Sequence, residues 1–302
     1  MPELPESVSV VMRCKDEAWA VGDTLRMLKD QDYPGTIQLV VIDSGSTDGS
    51  VEIIRAAGPD KLIEIQPHEY IPGVVMNRGA RECDHEWIVY LNADATPANR
   101  QWLRELLLPC LQAPAFGAGF SRQIPRPDCQ AVFAHDYDRC FGPERESKHW
   151  GHFFSMVSSI TRRSVLEKEP FREDLQYAED DEWTRRLLAK GYQVIFAEES
   201  VAIHSHNYTL KQCFKRSFGD AKAMAATSTT HPSDVNLHYF VALGWARDFL
   251  KDVKWCLKNG HLTGIPRAAA VRLSQRLGRR KGHHVGWKHY HRDQNPPAPR
   301  EA

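Results

Sequence analysis

The chain has 302 residues, 42% of them hydrophobic and 26% charged, which fits one large globular domain or a domain with an extension. Its formal net charge is zero, yet residues 201–302 hold 17 lysines and arginines against six acidic residues, and residues 1–200 have the opposite balance. The seven cysteines form no CxxC pair, which excludes a disulfide framework and the common zinc spacings, and no apolar run has the length of a transmembrane helix. These features favour a cytoplasmic protein with a basic C-terminal region.

Strands and helices are predicted to alternate over the first hundred residues. The apolar pattern predicts strands at 7–13, 38–45, 61–66 and 87–94 and helices at 17–31, 49–57 and 75–84. Such alternation is typical of βαβ units with a mostly parallel sheet, in which ligands bind beyond the carboxyl ends of the strands. Polar residues follow three of these strands, at Arg13, at Asp43, and at Asn92 with Asp94. We therefore expect a site at this edge of the sheet.

The remaining two thirds change from mixed to helical character. Further strands and helices are expected within 116–125, 153–168, 178–192 and 193–207, whereas residues 126–152 are polar, aromatic and irregular, as in a lid or acceptor loop. From about residue 208 the pattern is helical and basic. We predict a catalytic domain over residues 1–207 and a helical extension over residues 208–302.

Three strand-end or helix-start segments carry candidate ligand-binding residues. Asp43 can accept hydrogen bonds from a nucleoside, with an Asx-type turn as the alternative. Asp94, beside Asn92, can bind a divalent cation through hard oxygen ligands, with a surface turn as the alternative. Arg78, next to Asn77 near a predicted helix start, can clamp phosphate oxygens, with an exposed salt-bridging arginine as the alternative.

The segment "AEDDEW" places four acids, 179–182, at a helix start. Acids there complement the helix dipole, but four adjacent acids repel one another, which predicts a raised pKa in at least one and suits a general base. Trp183 beside them can stack on a sugar ring or anchor the helix in the core. His204 and His206 share a face if their segment is a strand, and either can ligate a metal or be an ordinary hydrogen-bonded histidine.

Taken in order, five segments resemble family 2 glycosyltransferases. They are "VSVVMRCKDE", "VVIDSGSTDGS", "NRGA", "NADA" in the place of the usual D-x-D metal motif, and "PFREDLQYAEDDEWTRRLLAKGY" on the acceptor side. The following "IHSHNYTLKQCFKRSF" is similar to the bacterial branch described as rhamnosyltransferase-like. The resemblance covers about residues 6–225.

The resemblance implies an α/β fold of the GT-A type, with a mostly parallel nucleotide-binding sheet flanked by helices and a helical C-terminal extension. It implies an inverting enzyme that moves a hexosyl or rhamnosyl group from a nucleotide-diphosphate sugar to an acceptor hydroxyl, in cell-surface glycan or polysaccharide biosynthesis. Asp43 would then contact the nucleoside, and Asn77 and Arg78 would lie near the diphosphate. Arg216 would contact the leaving diphosphate.

The resemblance also implies the metal ligands and the base. Asp94 and His204 would hold Mg²⁺ or Mn²⁺, with His206 as the alternative second ligand. Asp180, next to Glu179, would be the base that takes the acceptor proton. Asn92 stands where the first acid of the metal motif usually lies, and an amide can reach a ribose hydroxyl or a metal-bound water without bringing charge. The chain departs from the family pattern at this position.

The expected partners are a UDP-, GDP- or dTDP-sugar and a glycan, lipid-linked or small-molecule acceptor. The basic last third predicts a peripheral contact at the inner face of a membrane and no binding of nucleic acid. Its lysines and arginines are interspersed with apolar residues such as those of "FVALGWARDFL", which suits a membrane-surface helix better than a module that reads nucleotides. Two alternatives remain for the function. One is a catalytically impaired nucleotide-sugar-binding scaffold, which Asn92 favours. The other is a sugar-phosphate nucleotidyltransferase, although no glycine-rich phosphate loop follows the first strand.

Overall fold

The structure is a computed structural model that describes residues 3–225 and 230–291. Its strands are β1 Ser7–Cys14, β2 Thr36–Asp43, β3 Lys61–Glu64, β4 Trp87–Asn92, β5 Thr96–Pro97, β6 Phe116–Ile124, β7 Ser158–Arg162 and β8 Gln193–Ile203. Its helices are α1 Val21–Lys29, α2 Ser50–Ala57, α3 Pro72–Glu82, α4 Trp102–Leu111, α5 Ala131–Phe141, α6 Arg163–Lys168, α7 Glu179–Ala189, α8 Leu210–Met224, α9 Gly244–Asn259 and α10 Ile265–Tyr290. A π-helical segment, Leu237–Leu243, leads directly into α9.

Within the described residues, eight strands form one sheet in the order β3-β2-β1-β4-β7-β6-β8-β5. The strands from β3 to β4 are parallel, whereas β7 runs antiparallel to both β4 and β6. The predicted α/β fold with a helical C-terminal region is confirmed, and the sheet is mixed. Cys14 pairs with Asp43 and Arg13 with Asn92, so the carboxyl ends of β1, β2 and β4 meet at one edge.

The central strands are fixed in place because they are apolar on both faces. Strands β1 and β4 are buried along almost their whole length, as is usual for parallel strands covered by helices on both sides. On one face Met12 and Leu91 pack with Trp102 of α4, and on the other Tyr90 packs with Trp183 of α7. The polar residues at the strand ends are therefore held by a rigid core.

The expectation of an irregular segment over residues 126–152 was wrong, because this stretch contains helix α5. Val132, Phe133 and Phe141 of α5 are buried, but Val132 and Phe141 lie on opposite sides of the helix. Because these apolar residues form no single stripe and polar residues such as Asp136 and Arg139 stand between them, the sequence hides this helix.

The chain divides into two compact units. The first consists of Met1–Pro127, Tyr137–Leu175 and Glu179–Ser205, and the second of Asp128–Asp136, Gln176–Ala178 and His206–Ala302. The second unit begins its main segment close to the boundary predicted at residue 208, but it also takes two short segments from the region assigned to the first domain. Each unit has its own core, and Val132, Phe133 and Val271 belong to that of the second.

Helices α8 and α10 of the second unit pack with their backbones in close contact. Gly278 and Gly282 of α10 are four residues apart, and a Cβ atom at either would collide with the carbonyl oxygen of Phe214 or Phe218 in α8. Only glycine permits this approach. Among the described residues, no helix is both long and apolar enough to cross a membrane.

Candidate active site and metal centre

Arg13 connects the carboxyl ends of β1 and β4 in the first unit. Its Nη2 donates to Oδ1 of Asn92 at 2.9 Å, and its Nη1 donates to the hydroxyl of Tyr70 at 3.5 Å. Burial by itself lowers the pKa of the Arg13 guanidinium, but Tyr70, Glu179 and Asp180, which face it, more than offset this, so that its pKa is raised. A permanent positive charge therefore lies at the sheet edge, facing the first turn of α7.

The second pair of acids in the first turn of α7 has partners within the helix. Oδ2 of Asp181 accepts from Nε of Arg185 at 2.8 Å, and Oε1 of Glu182 accepts from Nε of Arg186 at 3.0 Å. Both are i,i+4 ion pairs of the kind that stabilises a helix by a few tenths of a kcal/mol. These two acids therefore have a structural explanation.

Asp180 is a partly buried carboxylate with an altered proton affinity. Burial raises its pKa. The backbone N–H of Asp181, which donates to Oδ1 of Asp180 at 2.9 Å, and the positive charge of Arg13 oppose this, and the charge of the Asp181 carboxylate raises the pKa further. The sequence predicted a raised pKa in this acidic run from mutual repulsion, whereas burial is the larger cause. The backbone before α7 is strained, because Ala178 has a φ of 56°, which a residue with a Cβ adopts at an energetic cost. Strained backbone is frequent at functional sites.

Asp94, His204 and His206 form the second cluster of this region. Oδ2 of Asp94 lies 3.4 Å from Nε2 of His204, and both side chains are buried. His206 follows His204 by two peptide bonds, and one ligand atom from each of the three residues lies within 4.8 Å of the others. One carboxylate and two imidazoles suit Mn²⁺ and similar divalent ions. The donor set therefore fits the metal site that the sequence predicted.

Hydrogen bonds behind His204 orient its ring. Its Nδ1 lies 2.8 Å from the hydroxyl of Tyr137 and 3.1 Å from Oε1 of Gln123. The amide nitrogen of Gln123 donates to Oγ of Ser155, so its oxygen is turned toward His204. A proton on Nδ1 that is donated to this oxygen leaves the lone pair on Nε2, on the side of Asp94, as in many metal-binding histidines.

The group around Arg13 and the group of Asp94, His204 and His206 adjoin through the loop that follows β4. Asn92 accepts from Arg13 and Asp94 lies two residues later, within a tight turn in which the N–H of Ala95 donates to the carbonyl oxygen of Asn92 at 3.0 Å. The side chain of Arg126 holds the other side of the turn through the carbonyl oxygen of Asp94. The acidic start of α7 and the histidine pair are therefore linked through one short loop.

Asp43, at the carboxyl end of β2, closes a turn. Its Oδ1 accepts from the backbone N–H groups of Gly45 and Ser46 at 2.9 and 2.8 Å, and its Oδ2 accepts from Oγ of Ser46 at 2.5 Å. This is the Asx-type turn that the sequence offered as the alternative. The N–H of Thr47 in turn donates to Oδ1 of Asp16 at 2.8 Å, which fastens the loops after β1 and β2 together. The nucleoside contact of Asp43 stays a prediction.

The residues predicted to lie near the diphosphate occupy three different surroundings. Asn77 of α3 is buried, and its amide both donates to and accepts from the backbone of Phe171. Arg78 is exposed on the same helix. Arg216 lies on α8 of the second unit, with its guanidinium 4.8 Å from the ring centroid of Tyr208. Their contacts with a donor stay predictions.

The expectation that Trp183 stacks on a sugar was wrong. The side chain is 1% exposed, its Nε1 donates to the carbonyl oxygen of Glu169 at 2.7 Å, and its ring centroid lies 4.4 Å from that of Phe171. A ring enclosed on all sides has no face for a ligand. Trp183 is the core anchor of α7, which was the alternative interpretation.

Sequence reasoning missed the roles of Arg13, Gln123 and Tyr137. Arg13 was visible as a polar strand-end residue, but its pairing with Asn92 requires knowing that β1 and β4 are neighbours. Gln123 and Tyr137 come from β6 and α5, and nothing in their local sequence indicates that they meet His204.

Comparison with known proteins places these features in context. The family model described as "Glycosyl transferase family 2" matches residues 9–169. The O-antigen chain rhamnosyltransferase WbaN of Salmonella anatum is 29% identical over 261 residues, which cover 82% of this chain and 80% of that protein. The O-antigen chain rhamnosyltransferase RfbN of Salmonella typhimurium is 28% identical over 264 residues, which cover 83% and 81%.

A solved structure shares the fold. The mannosyltransferase PcManGT from Pyrobaculum calidifontis, in complex with GDP-Man and Mn²⁺, aligns with a TM-score of 0.62. The alignment has 20% sequence identity and covers 92% of this chain and 86% of that one. The similarity therefore extends over nearly all of this chain.

Proposed function

The chain belongs to glycosyl transferase family 2 and is a glycosyltransferase, and we propose that it moves a sugar from a nucleotide-diphosphate sugar to an acceptor hydroxyl with inversion at the anomeric carbon. The expected GT-A type of fold is confirmed. The similarity to two O-antigen rhamnosyltransferases supports glycan biosynthesis, and it favours rhamnose over other sugars as the group transferred. The observation that carries the proposal is Asp180, a carboxylate whose pKa burial raises, facing Arg13 beside the loop that carries Asp94.

Asp180 is the proposed general base. As the acceptor oxygen forms a bond to the anomeric carbon, the bond from that carbon to the diphosphate oxygen breaks, and the hydroxyl proton passes to the Asp180 carboxylate. One such displacement inverts the configuration. A raised pKa makes a carboxylate a stronger base, so the burial that raises the pKa of Asp180 favours this step. Glu179, which also faces Arg13, is the second carboxylate of this site.

Arg13 and Asn92 are proposed to set the charge around the base. The positive charge of Arg13 favours the ionised form of Asp180, which is the form that accepts a proton. Asn92 accepts a hydrogen bond from Arg13 without neutralising it, because an amide carries no charge. On this account the amide at position 92 serves the base, which argues against the alternative of an impaired scaffold.

Asp94, His204 and His206 would hold a divalent cation, Mg²⁺ or Mn²⁺. When bound, the ion supplies positive charge that stabilises a departing diphosphate. Gln123 and Tyr137 keep the His204 ring oriented for that role. The presence of Mn²⁺ and GDP-Man together in PcManGT supports a metal-assisted nucleotide-sugar site in a chain of this fold.

The donor is proposed to lie against the loops after β1 and β2, where Asp43 would meet the nucleoside. Arg78 and Arg216 would meet the diphosphate, with Asn77 nearby. UDP-, GDP- and dTDP-sugars are all compatible with these residues. The acceptor is a glycan, a lipid-linked glycan or a small molecule that presents a hydroxyl to Asp180.

The proposal is tested in two steps. Thermal shift with UDP-, GDP- and dTDP-sugars, with and without Mn²⁺, identifies the donor, and the anomeric configuration of the product is then measured by NMR. Asp180→Asn should lower turnover by about two orders of magnitude or more while donor binding persists. Glu182→Gln is the matched control, because that acid is paired with Arg186. Near-normal turnover of Asp180→Asn, or retention of anomeric configuration, would contradict the proposed mechanism.

A further inference from the structure

Helix α9 of the second unit separates its charged residues by sign. Both of its acids face α10, where Asp252 accepts from Nε of Arg272 at 2.7 Å and Asp248 accepts from Nη2 of Arg276 at 2.5 Å. Asp252 is completely buried and Asp248 is partly buried. The bases Arg247, Lys254 and Lys258 are exposed, and Nε of Arg247 also lies 3.5 Å from Oδ1 of Asp248. The solvent-facing charge of this helix is therefore positive.

Three leucines lie on the same side of the helix as these bases. Leu243, the last residue of the π-helical segment that leads into α9, and Leu250 and Leu257 of α9 are seven residues apart, which places them about two turns from one another on one face. Their exposed fractions are 51%, 58% and 61%. Single exposed leucines need no explanation, but a row of them on one helix indicates an interaction surface.

Together these six side chains form what we call the α9 outer face: Leu243, Arg247, Leu250, Lys254, Leu257 and Lys258. We propose that the α9 outer face docks on an anionic lipid surface. The leucines enter the boundary between headgroups and acyl chains, and the three bases lie among the lipid phosphates. The peripheral membrane contact expected from the basic last third of the chain thereby acquires a defined surface.

Charge complementarity selects this occupant over a second copy of the chain. A twofold interface through the α9 outer face would bring the face against itself, and all three of its charged residues are basic. Juxtaposed like charges oppose such an interface. Nucleic acid would satisfy the bases but not the leucine row, because phosphate contacts give no gain from exposed apolar area. An anionic membrane matches both components.

The experiment is co-sedimentation of the full chain with large vesicles, either of phosphatidylcholine alone or of phosphatidylcholine mixed with phosphatidylglycerol, at low and high salt. We expect binding to the anionic vesicles, weaker binding at high salt, and little binding to the neutral ones. Equal sedimentation with both vesicle types, or none with either, overturns the proposal.

Two triple variants separate the components of the surface. Leu243→Ser/Leu250→Ser/Leu257→Ser should abolish binding to anionic vesicles at both salt concentrations. Arg247→Gln/Lys254→Gln/Lys258→Gln should lower the partition coefficient by about a hundredfold at low salt, since each base near an anionic surface contributes roughly 1 kcal/mol. Leu188→Ser, at an exposed leucine of α7 in the first unit, is the matched control and should bind as the parent does.

Two further readouts keep the outcome decisive. Circular dichroism and thermal unfolding show whether each variant is folded, and substitutions of exposed side chains should change stability little. Sedimentation velocity without lipid shows whether the chain dimerises, and a dimer that the leucine variant dissociates would overturn the proposal in favour of a second copy. Transfer to a water-soluble acceptor tests the proposed function separately, since the leucine variant should retain it in full.

Discussion

Asp180 of the first unit and Asp252 of the second are both withdrawn from water, but their pKa values move in opposite directions. Burial raises the pKa of each carboxylate. For Asp252, hydrogen bonds from Arg272 and His135 outweigh burial and the pKa falls. For Asp180, burial prevails over both the hydrogen bond from the Asp181 N–H and the charge of Arg13. The first unit thus keeps an under-compensated carboxylate at its sheet edge, and the second uses a similar group as a structural centre.

The difference has opposite consequences for stability. The depressed pKa of Asp252 means that its ionised form stabilises the fold above its unfolded pKa, and this stabilisation is lost as pH falls through the folded value. The raised pKa of Asp180 means that its ionisation at neutral pH destabilises the fold. A carboxylate retained at such a cost is expected where chemistry needs it.

The largest expected effect is on the second unit. Asp252→Ala should lower the free energy of unfolding by about 3 kcal/mol or more, because it leaves buried Arg272 and His135 without the acid they share. Denaturant unfolding followed by circular dichroism measures this loss. Asp23→Ala removes an exposed i,i+3 ion pair and should change little. If Asp252→Ala loses as little unfolding free energy as the control, Asp252 is not the structural centre that the contrast with Asp180 requires.

Asp180→Asn should have the reverse signature. Turnover falls by about two orders of magnitude, whereas the unfolding midpoint at neutral pH stays the same or rises, because a neutral amide no longer has to be ionised in a partly buried site. Parallel denaturation of Asp180→Asn and Asp252→Asn measures the contrast directly. If both variants are destabilised equally, Asp180 is a structural residue like Asp252.

Loss of the metal ligands should affect donor binding more than folding. In the presence of Mn²⁺, Asp94→Ala and His204→Ala should weaken donor affinity by about tenfold or more, and without Mn²⁺ they should match the parent. Tyr137→Phe, which removes one hydrogen bond to His204, should give a smaller loss of the same kind. Isothermal titration of each variant with the donor, with and without Mn²⁺, measures these affinities and checks the expected order of the losses. Donor affinity that is independent of both metal and Asp94 would refute the metal site.

The sequence predicted those parts of the fold that depend on local pattern. Alternating strands and helices over the first hundred residues follow from runs such as "VSVVM" and "WIVYL", which only a covered sheet can bury. Strand β7 illustrates the limit, because a strand buried on both faces gives the same pattern whichever way it runs, and its antiparallel pairing depends on the path of the chain.

The candidate site divides in the same way. Asp94, His204 and His206 were predictable as ligand types at strand ends, and the structure brings them together. The orientation of His204 by Gln123 and Tyr137 depends on contacts from β6 and α5. Trp183 shows the opposite case, since an aromatic residue beside acids suits either a sugar or the core, and only its complete burial distinguishes them.

The smallest and most specific expected effect is on the pH profile. Turnover should rise with pH as Asp180 ionises, with the acidic limb above the ordinary aspartate range because burial raises this pKa. Arg13→Gln removes the positive charge that opposes the rise, so the limb should move to higher pH. Arg13→Lys keeps the positive charge and should return the acidic limb close to its position in the parent, although lysine cannot reproduce both hydrogen bonds of Arg13. Because a purely structural loss would lower turnover at every pH without moving the limb, an unshifted profile for Arg13→Gln would remove Arg13 from the account of the base.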